Sequence, residues 1–306
     1  MLSMNELKRR LRGSVRMLAG AEPSPQWPPV SAPPAPVTAN GPEAKSNILD
    51  AYITTAPSPQ VALDLFKGEW SSQLPAPFEH LQAGPVGLFT DVRITWAIER
   101  LGGVAGQRVL ELGPLEGGHS YILEQAGAAE IVAIEANSRA FLKCLIVREL
   151  LGLAHVQFLC GDFVEYLRTT PDRFDAIVAS GVLYHMRNPA ELIELVAQHS
   201  DRVFFWTHYY DKALINASPV LAPKFPASTP TEHAGFKHTL YRQEYQLSLD
   251  CSRFCGGGAV HSAWMAREEL LDCVRYFGFD QIEIGFEAPT HPNGPCFAFV
   301  ATRSAH

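Results

Sequence analysis

Charged side chains, paired cysteines and long apolar runs are all scarce in this chain. Charged residues make up 19% of 306. No stretch approaches the roughly 20 consecutive apolar residues that cross a bilayer. The basic start, Met1 to Gly20, spreads its apolar residues out instead of gathering them into the apolar core of a secretory signal. Neither a spanning helix nor secretion is expected, and the setting expected is cytoplasmic. The six cysteines are Cys144, Cys160, Cys251, Cys255, Cys273 and Cys296. Three lie inside apolar runs, as buried thiols do, so a disulfide framework is not expected. Cys251, Cys255 and His261 match no common zinc spacing, and no metal is expected. Positive charge is also short. Net charge is −7; residues 1–43 carry +2, which leaves −9 for the rest. An acidic body is a poor partner for a polyanion, which disfavours nucleic acid.

What is present divides into segments. Residues 1–20 form a basic amphipathic helix, with Leu7, Leu11, Val15 and Leu18 at helical spacing. It is suited to a partner protein, to a membrane surface or to packing on its own domain. Residues 21–45 are rich in Pro and Ala and read as a disordered linker. The folded domain spans 46–306. Its leading part, 46–107, reads as mostly helical, punctuated by Pro75, Pro77, Gly84 and Pro85.

From Arg108 onward, apolar strands alternate with helices. Strands are expected at Arg108–Gly113, Glu130–Glu135, Val156–Gly161, Phe174–Ser180, Arg202–Trp206, Ile282–Phe286 and Phe297–Ala301. Helices are expected at Gly118–Ala126, at Ser138–Leu151 with Ser138 as its cap, at Pro189–His199 and at Arg267–Phe277. This is an α/β chain with a Rossmann-like, doubly wound, seven-stranded mixed sheet. The closing hairpin makes one strand antiparallel. After the fifth strand an aromatic insert, 211–264, interrupts the alternation and reads as a lid.

Ligands bind such sheets at the carboxyl ends of the strands. The first strand ends in Glu111-Leu-Gly113-Pro114-Leu-Glu-Gly117-Gly118, a glycine turn opening a helix. Glu135 ends the second strand, where a carboxylate can take both hydroxyls of a ribose; Ala136 follows it. Asp162 and Phe163 end the third strand and suit an adenine. Ser180 ends the fourth. A dinucleotide fold wants G-x-G-x-x-G, but Leu115 holds the second glycine position and Pro114 removes an N–H. Glu111 would repel a pyrophosphate and suits an ammonium group. These residues together point to S-adenosylmethionine.

Residues 108–210 and 267–302 resemble the class I S-adenosylmethionine-dependent methyltransferases. The resemblance implies that Glu111, Gly113 and Gly117 hold the methionine part, Glu135 the ribose and Asp162 the adenine amine. Leu115 departs from the family, which usually has glycine there. The stretch Ser180-Gly-Val-Leu-Tyr-His-Met-Arg-Asn-Pro189 further resembles the tRNA wobble-uridine carboxymethyltransferases, whose tyrosine and histidine lie beside the transferable group. Here these are Tyr184, as a pocket wall, and His185, as a proton acceptor. Arg93 is a candidate partner for the cofactor carboxylate. His208, Tyr209, Tyr210 and His238 either face the acceptor or form a satellite core. The activity expected is methyl transfer to oxygen or nitrogen of a small molecule. The alternatives are transfer to the tRNA wobble uridine, a reaction within S-adenosylmethionine itself, and binding without chemistry.

Overall fold

Neighbouring apolar residues along each strand point to opposite faces of a sheet, and the core follows that alternation. Val109, Ile131, Val178, Phe204 and Ala298 pack on one face. Leu110, Val132, Ile177, Phe205 and Phe299 pack on the other. The computed structural model describes residues 48–250 and 256–304. The basic helix and Pro/Ala-rich linker expected within 1–45 lie outside them, as do Cys251 and Cys255. Residues Ala56–His306 form one compact unit. No helix among the described residues is long and apolar enough to cross a membrane.

The main sheet is built from β1 (Arg108–Leu112), β2 (Glu130–Glu135), β3 (Val156–Cys160), β4 (Ala176–Ser180), β5 (Arg202–His208), β9 (Gln281–Ala288) and β10 (Cys296–Thr302). Their order is β3-β2-β1-β4-β5-β10-β9. The first five run parallel, with Leu110 beside Val132 and Ile177. β10 runs antiparallel between β5 and β9. All seven expected strands are present, and the one antiparallel strand is the last. The strand order reverses between β1 and β4, which opens a crevice at their carboxyl ends.

Eight helices flank these strands among the described residues: α1 (Pro59–Asp64), α2 (Val92–Arg100), α3 (Gly118–Gln125), α4 (Ser138–Leu151), α5 (Phe163–Thr169), α6 (Pro189–His199), α7 (Lys212–Ala217) and α8 (Arg267–Tyr276). Three details differ from the sequence reading. Asn137, not Ser138, caps α4, because its Oδ1 accepts from the Arg139 and Ala140 N–H groups. The short α5 is an addition, capped by Asp162. The leading segment is mostly irregular between α1 and α2. Pro75, Pro77 and Pro85 have no N–H to give a helix. Gly84 lies so close to the next pass of chain that a Cβ there would sit 2.1 Å from the Ser71 carbonyl carbon.

That irregular segment is fastened from below. The Glu116 carboxylate is fully buried and accepts the Ser71 and Ser72 N–H groups at 2.8–3.1 Å. Lys143 of α4 donates to the same carboxylate at 2.6 Å and to the Glu69 carbonyl at 3.0 Å. The insert is not a loose loop. After α7 it forms a second, antiparallel sheet of β6 (Ala227–His233), β7 (Phe236–Glu244) and β8 (His261–Trp264).

Glu116→Ala leaves the Lys143 ammonium buried without its partner. A loss of about 3–5 kcal/mol is expected, read by urea unfolding of the full chain. A loss below about 1 kcal/mol would mean that this carboxylate does not hold the leading segment.

Candidate functional site

The turn between β1 and α3 has three residues in the left-handed region: Gly113 (φ 66°), Leu115 (φ 56°) and Gly117 (φ 77°). Leu115 thus occupies the conformation that glycine would adopt freely, at a cost of about 1–2 kcal/mol. Gly113 has a second constraint, because a Cβ there would stand 2.7 Å from Val182 Cγ1. The turn is held by the acid at the end of β2. Glu135 accepts the Leu115 N–H at 3.0 Å and the Asn137 N–H at 2.8 Å. Burial pushes the Glu135 carboxyl up, against the pull of these backbone donors.

The crevice deepens here into a cavity of about 460 Å³. The acids at the ends of β2 and β3 both line it, Glu135 with Ala136 and Asp162 with Phe163. So do Gly113 and Pro114 of the turn, Ser180 at the end of β4, Arg93 of α2, and Tyr184 and His185. Asp162 also accepts the Val164 N–H at 2.7 Å, so one side chain caps α5 and faces the cavity. Two expected residues stand elsewhere. Gly117 supports the turn against Phe158, where a Cβ would come within 3.1 Å. Glu111 is 1% exposed and lies behind the lining.

Between Glu111 and the cavity stands His119, a lining residue that the sequence reading passed over. Its Nε2 is 3.0 Å from Asp91 Oδ2, and its Nδ1 is 3.9 Å from Glu111 Oε1. Glu111 also accepts the Ser120 hydroxyl, but its Oε1 has no hydrogen-bond partner among the described residues. Burial raises the Glu111 carboxyl above its ordinary value. For Asp91 burial acts the same way, yet the hydrogen bonds from His119 and Arg93 outweigh it and hold the carboxyl well below the carboxylate range. Arg93 grips Asp91 through two nitrogens at 2.6–3.1 Å and lies 4.5 Å above the Trp206 ring. A chain of polar contacts therefore runs from Glu111 through His119 and Asp91 to Arg93.

The opposite wall is aromatic. Tyr184 packs against His185, His208, Trp206 and Trp264, with ring centroids 4.1–6.2 Å apart. His185 Nδ1 is 2.9 Å from the Tyr245 hydroxyl. Burial, with a smaller contribution from His208, lowers His185 to about 3, so its ring is neutral at neutral pH. The insert supplies Tyr245 and also the lining residues Gly256, Gly257 and Gly258. At Gly257 a Cβ would meet the His185 carbonyl oxygen at 2.8 Å. Of the four aromatic candidates for the acceptor, none lines the cavity. Tyr209 is in the main core. Tyr210 stacks on Tyr241 at 3.6 Å, His238 on Phe236 at 5.4 Å and His208 on Trp264 at 5.2 Å. Of the four, Tyr210 packs against the satellite core of Ile215, Leu221 and Trp264.

Residues 104–224 match the family model described as a methyltransferase domain. Over these residues, 121 of 306, the chain is similar to that family. Its fold is similar to that of the N-terminal domain of EvdMO1, solved with SAH and D-fucose (23% identity, 80% of this chain, 95% of that one, TM-score 0.61). Among curated proteins, the tRNA U34 carboxymethyltransferase of Psychrobacter arcticus is 28% identical over 37% of this chain and 35% of its own length. The protein of the same name from Marinobacter nauticus is 32% identical over 37% of each chain. This chain spans little more than a third of the length of these relatives. The acids ending β2 and β3 were legible from their strands, whereas His119, Trp206 and Tyr245 carry no spacing that marks them.

The sign of the His185 shift fixes a pH dependence. Its folded value lies near 3 and its unfolded value near 6.5. The unfolded chain therefore binds this proton first, and stability falls as pH drops through that window. Acid unfolding followed by tryptophan fluorescence should show this slope, and His185→Gln should flatten it. An unchanged slope would mean that the ring is not buried as described.

Proposed function

We propose that the chain binds S-adenosylmethionine in this cavity and transfers a one-carbon group from it. The observation that carries the reading is the cavity at the strand-order reversal, ringed by Glu135, Asp162 and the left-handed turn. Glu135 would take the ribose hydroxyls, and Asp162 with Phe163 the adenine. Pro114 has no N–H for a pyrophosphate, and the buried Glu111 carboxylate behind the turn disfavours one. The unpartnered Glu111 Oε1 fits a cationic neighbour, relayed through His119. Arg93 would meet the carboxylate of the methionine part.

When bound, the cofactor supplies an electrophilic carbon on a sulfonium. The protein's contribution is orientation and proton transfer. Tyr184 offers a ring face to a cation. A neutral His185 whose Nδ1–H donates to Tyr245 keeps a lone pair on Nε2 for a hydroxyl or amine proton. Transfer to tRNA is the acceptor reading that the relatives' names support, and it is placed ahead of the small-molecule acceptor that the acidic charge and the short local match favoured. A small-molecule acceptor is the second reading, favoured by the aromatic wall and the close approach of Gly257 to the His185 carbonyl.

Isothermal calorimetry should detect S-adenosylhomocysteine and not NADH, and Glu135→Ala should weaken binding at least about tenfold. Binding of NADH alone would sink the cofactor assignment. Incubation with labelled donor and fractionated cell extract should place label in tRNA. Label confined to small molecules selects the second reading. His185→Ala should cut turnover at least about 100-fold with S-adenosylhomocysteine affinity intact; unchanged turnover removes its role in proton transfer.

A further inference from the structure

Behind the aromatic wall lie three side chains that neither the fold nor the transfer reaction requires. His208 closes β5, Cys296 opens β10, and the two are direct partners in the antiparallel register. His291 comes from the turn between β9 and β10. One ligand atom from each of the three lies within 4.8 Å of the others. The grouping is hidden in the sequence, where His208 is far from the other two. We propose that His208, His291 and Cys296 form a binding site for a thiophilic divalent ion of the zinc type.

The surroundings are those of a built site. His208 Nδ1 is 2.8 Å from the Gly294 carbonyl oxygen and 3.3 Å from that of Pro295. A carbonyl only accepts, so Nδ1 carries the proton and the Nε2 lone pair is left for a metal. Backbone carbonyls orient metal-binding imidazoles in this way. Gly294 (φ +115) allows the turn to wrap this ring, since a Cβ there would stand 2.7 Å from Trp264 and 3.7 Å from His208 Nδ1. Burial raises the Cys296 thiol above its ordinary value, against the opposing pull of the Trp206 indole N–H, which hydrogen-bonds the sulfur, and of the Arg93 charge. His208 and Cys296 are 3% and 4% exposed, so the ligands are shielded from bulk water.

On binding, Cys296 releases its thiol proton to solvent and forms a metal–sulfur bond. His291 gives up the Asn293 N–H that its Nδ1 accepts at 3.2 Å. Two imidazoles and one thiolate suit zinc and leave a fourth position open. Because His208 contacts Tyr184, Trp206 and Trp264, the ion would pin the wall of the cavity to the β9–β10 turn.

The test is a cobalt(II) titration of the full chain, freed of metal by a chelator. A thiolate-to-cobalt absorption band saturating at one equivalent is expected. The band should persist in the double variant Cys251→Ser with Cys255→Ser and vanish in Cys296→Ser. His291→Ala, on a half-exposed turn, should weaken binding at least about tenfold while circular dichroism stays native. Zinc(II) should raise the Tm of the wild type and not of Cys296→Ser. No band in the wild type, a band that survives Cys296→Ser, or one lost in the double variant would overturn the assignment.

Discussion

The buried Glu116–Lys143 pair is the constraint from which the site is organised. Glu116 belongs to the turn that follows β1, Lys143 to the helix that follows β2, and the N–H groups of Ser71 and Ser72 to the segment before the sheet. One carboxylate therefore joins three parts of the chain at the underside of the crevice. Removing two charges from water is costly, and the cost is offset here because the Ser71 and Ser72 N–H groups and the Lys143 ammonium converge on the same two oxygens. The leading segment needs such a fastening. Its prolines and its glycine contact with Ser71 deny it a regular ladder of its own, and its position sets where Leu88 and Arg93 enter the cavity.

Above this foundation the cavity separates its electrostatics from its packing. One side is a polar chain, from Glu111 through His119 and Asp91 to Arg93, in which Glu111 Oε1 is left without a hydrogen-bond partner among the described residues. The other side is aromatic and neutral, with Tyr184 at the centre and His185 held uncharged by burial. Arg93 belongs to both, since it grips Asp91 and lies over Trp206. A ligand with a zwitterionic end and an apolar, cationic centre matches this division.

Legibility in the sequence tracked the range of the interaction involved. The strands were readable because runs such as Ile131–Ile134 and Phe204–Phe205 declare a sheet buried on both faces. Glu135 and Asp162 were readable because their place follows from where a strand stops. Asn137 displaced Ser138 as a cap through a difference of one residue that only backbone geometry resolves. His119 gave no signal, because its role arises from Asp91 and Glu111, which come from separate elements. Tyr245 stood in view as one aromatic among many in the insert, and its bond to His185 spans sixty residues of sequence. The −9 of residues 44–306 does not by itself decide the partner, because net charge averages over a surface and a binding face does not.

The hydroxyl on His185 has a consequence for how such a protein can change. His185 follows β4 of the main sheet, but the hydroxyl that meets its Nδ1 belongs to the insert, and Gly257 of the same insert rests on the His185 backbone. The scaffold and the insert are thus not interchangeable modules. Exchanging the insert for a related one would alter the lining of the cavity and the hydrogen bond to His185 in a single event. Variation in this lineage is therefore expected to proceed by adjustment within the insert and not by its wholesale replacement.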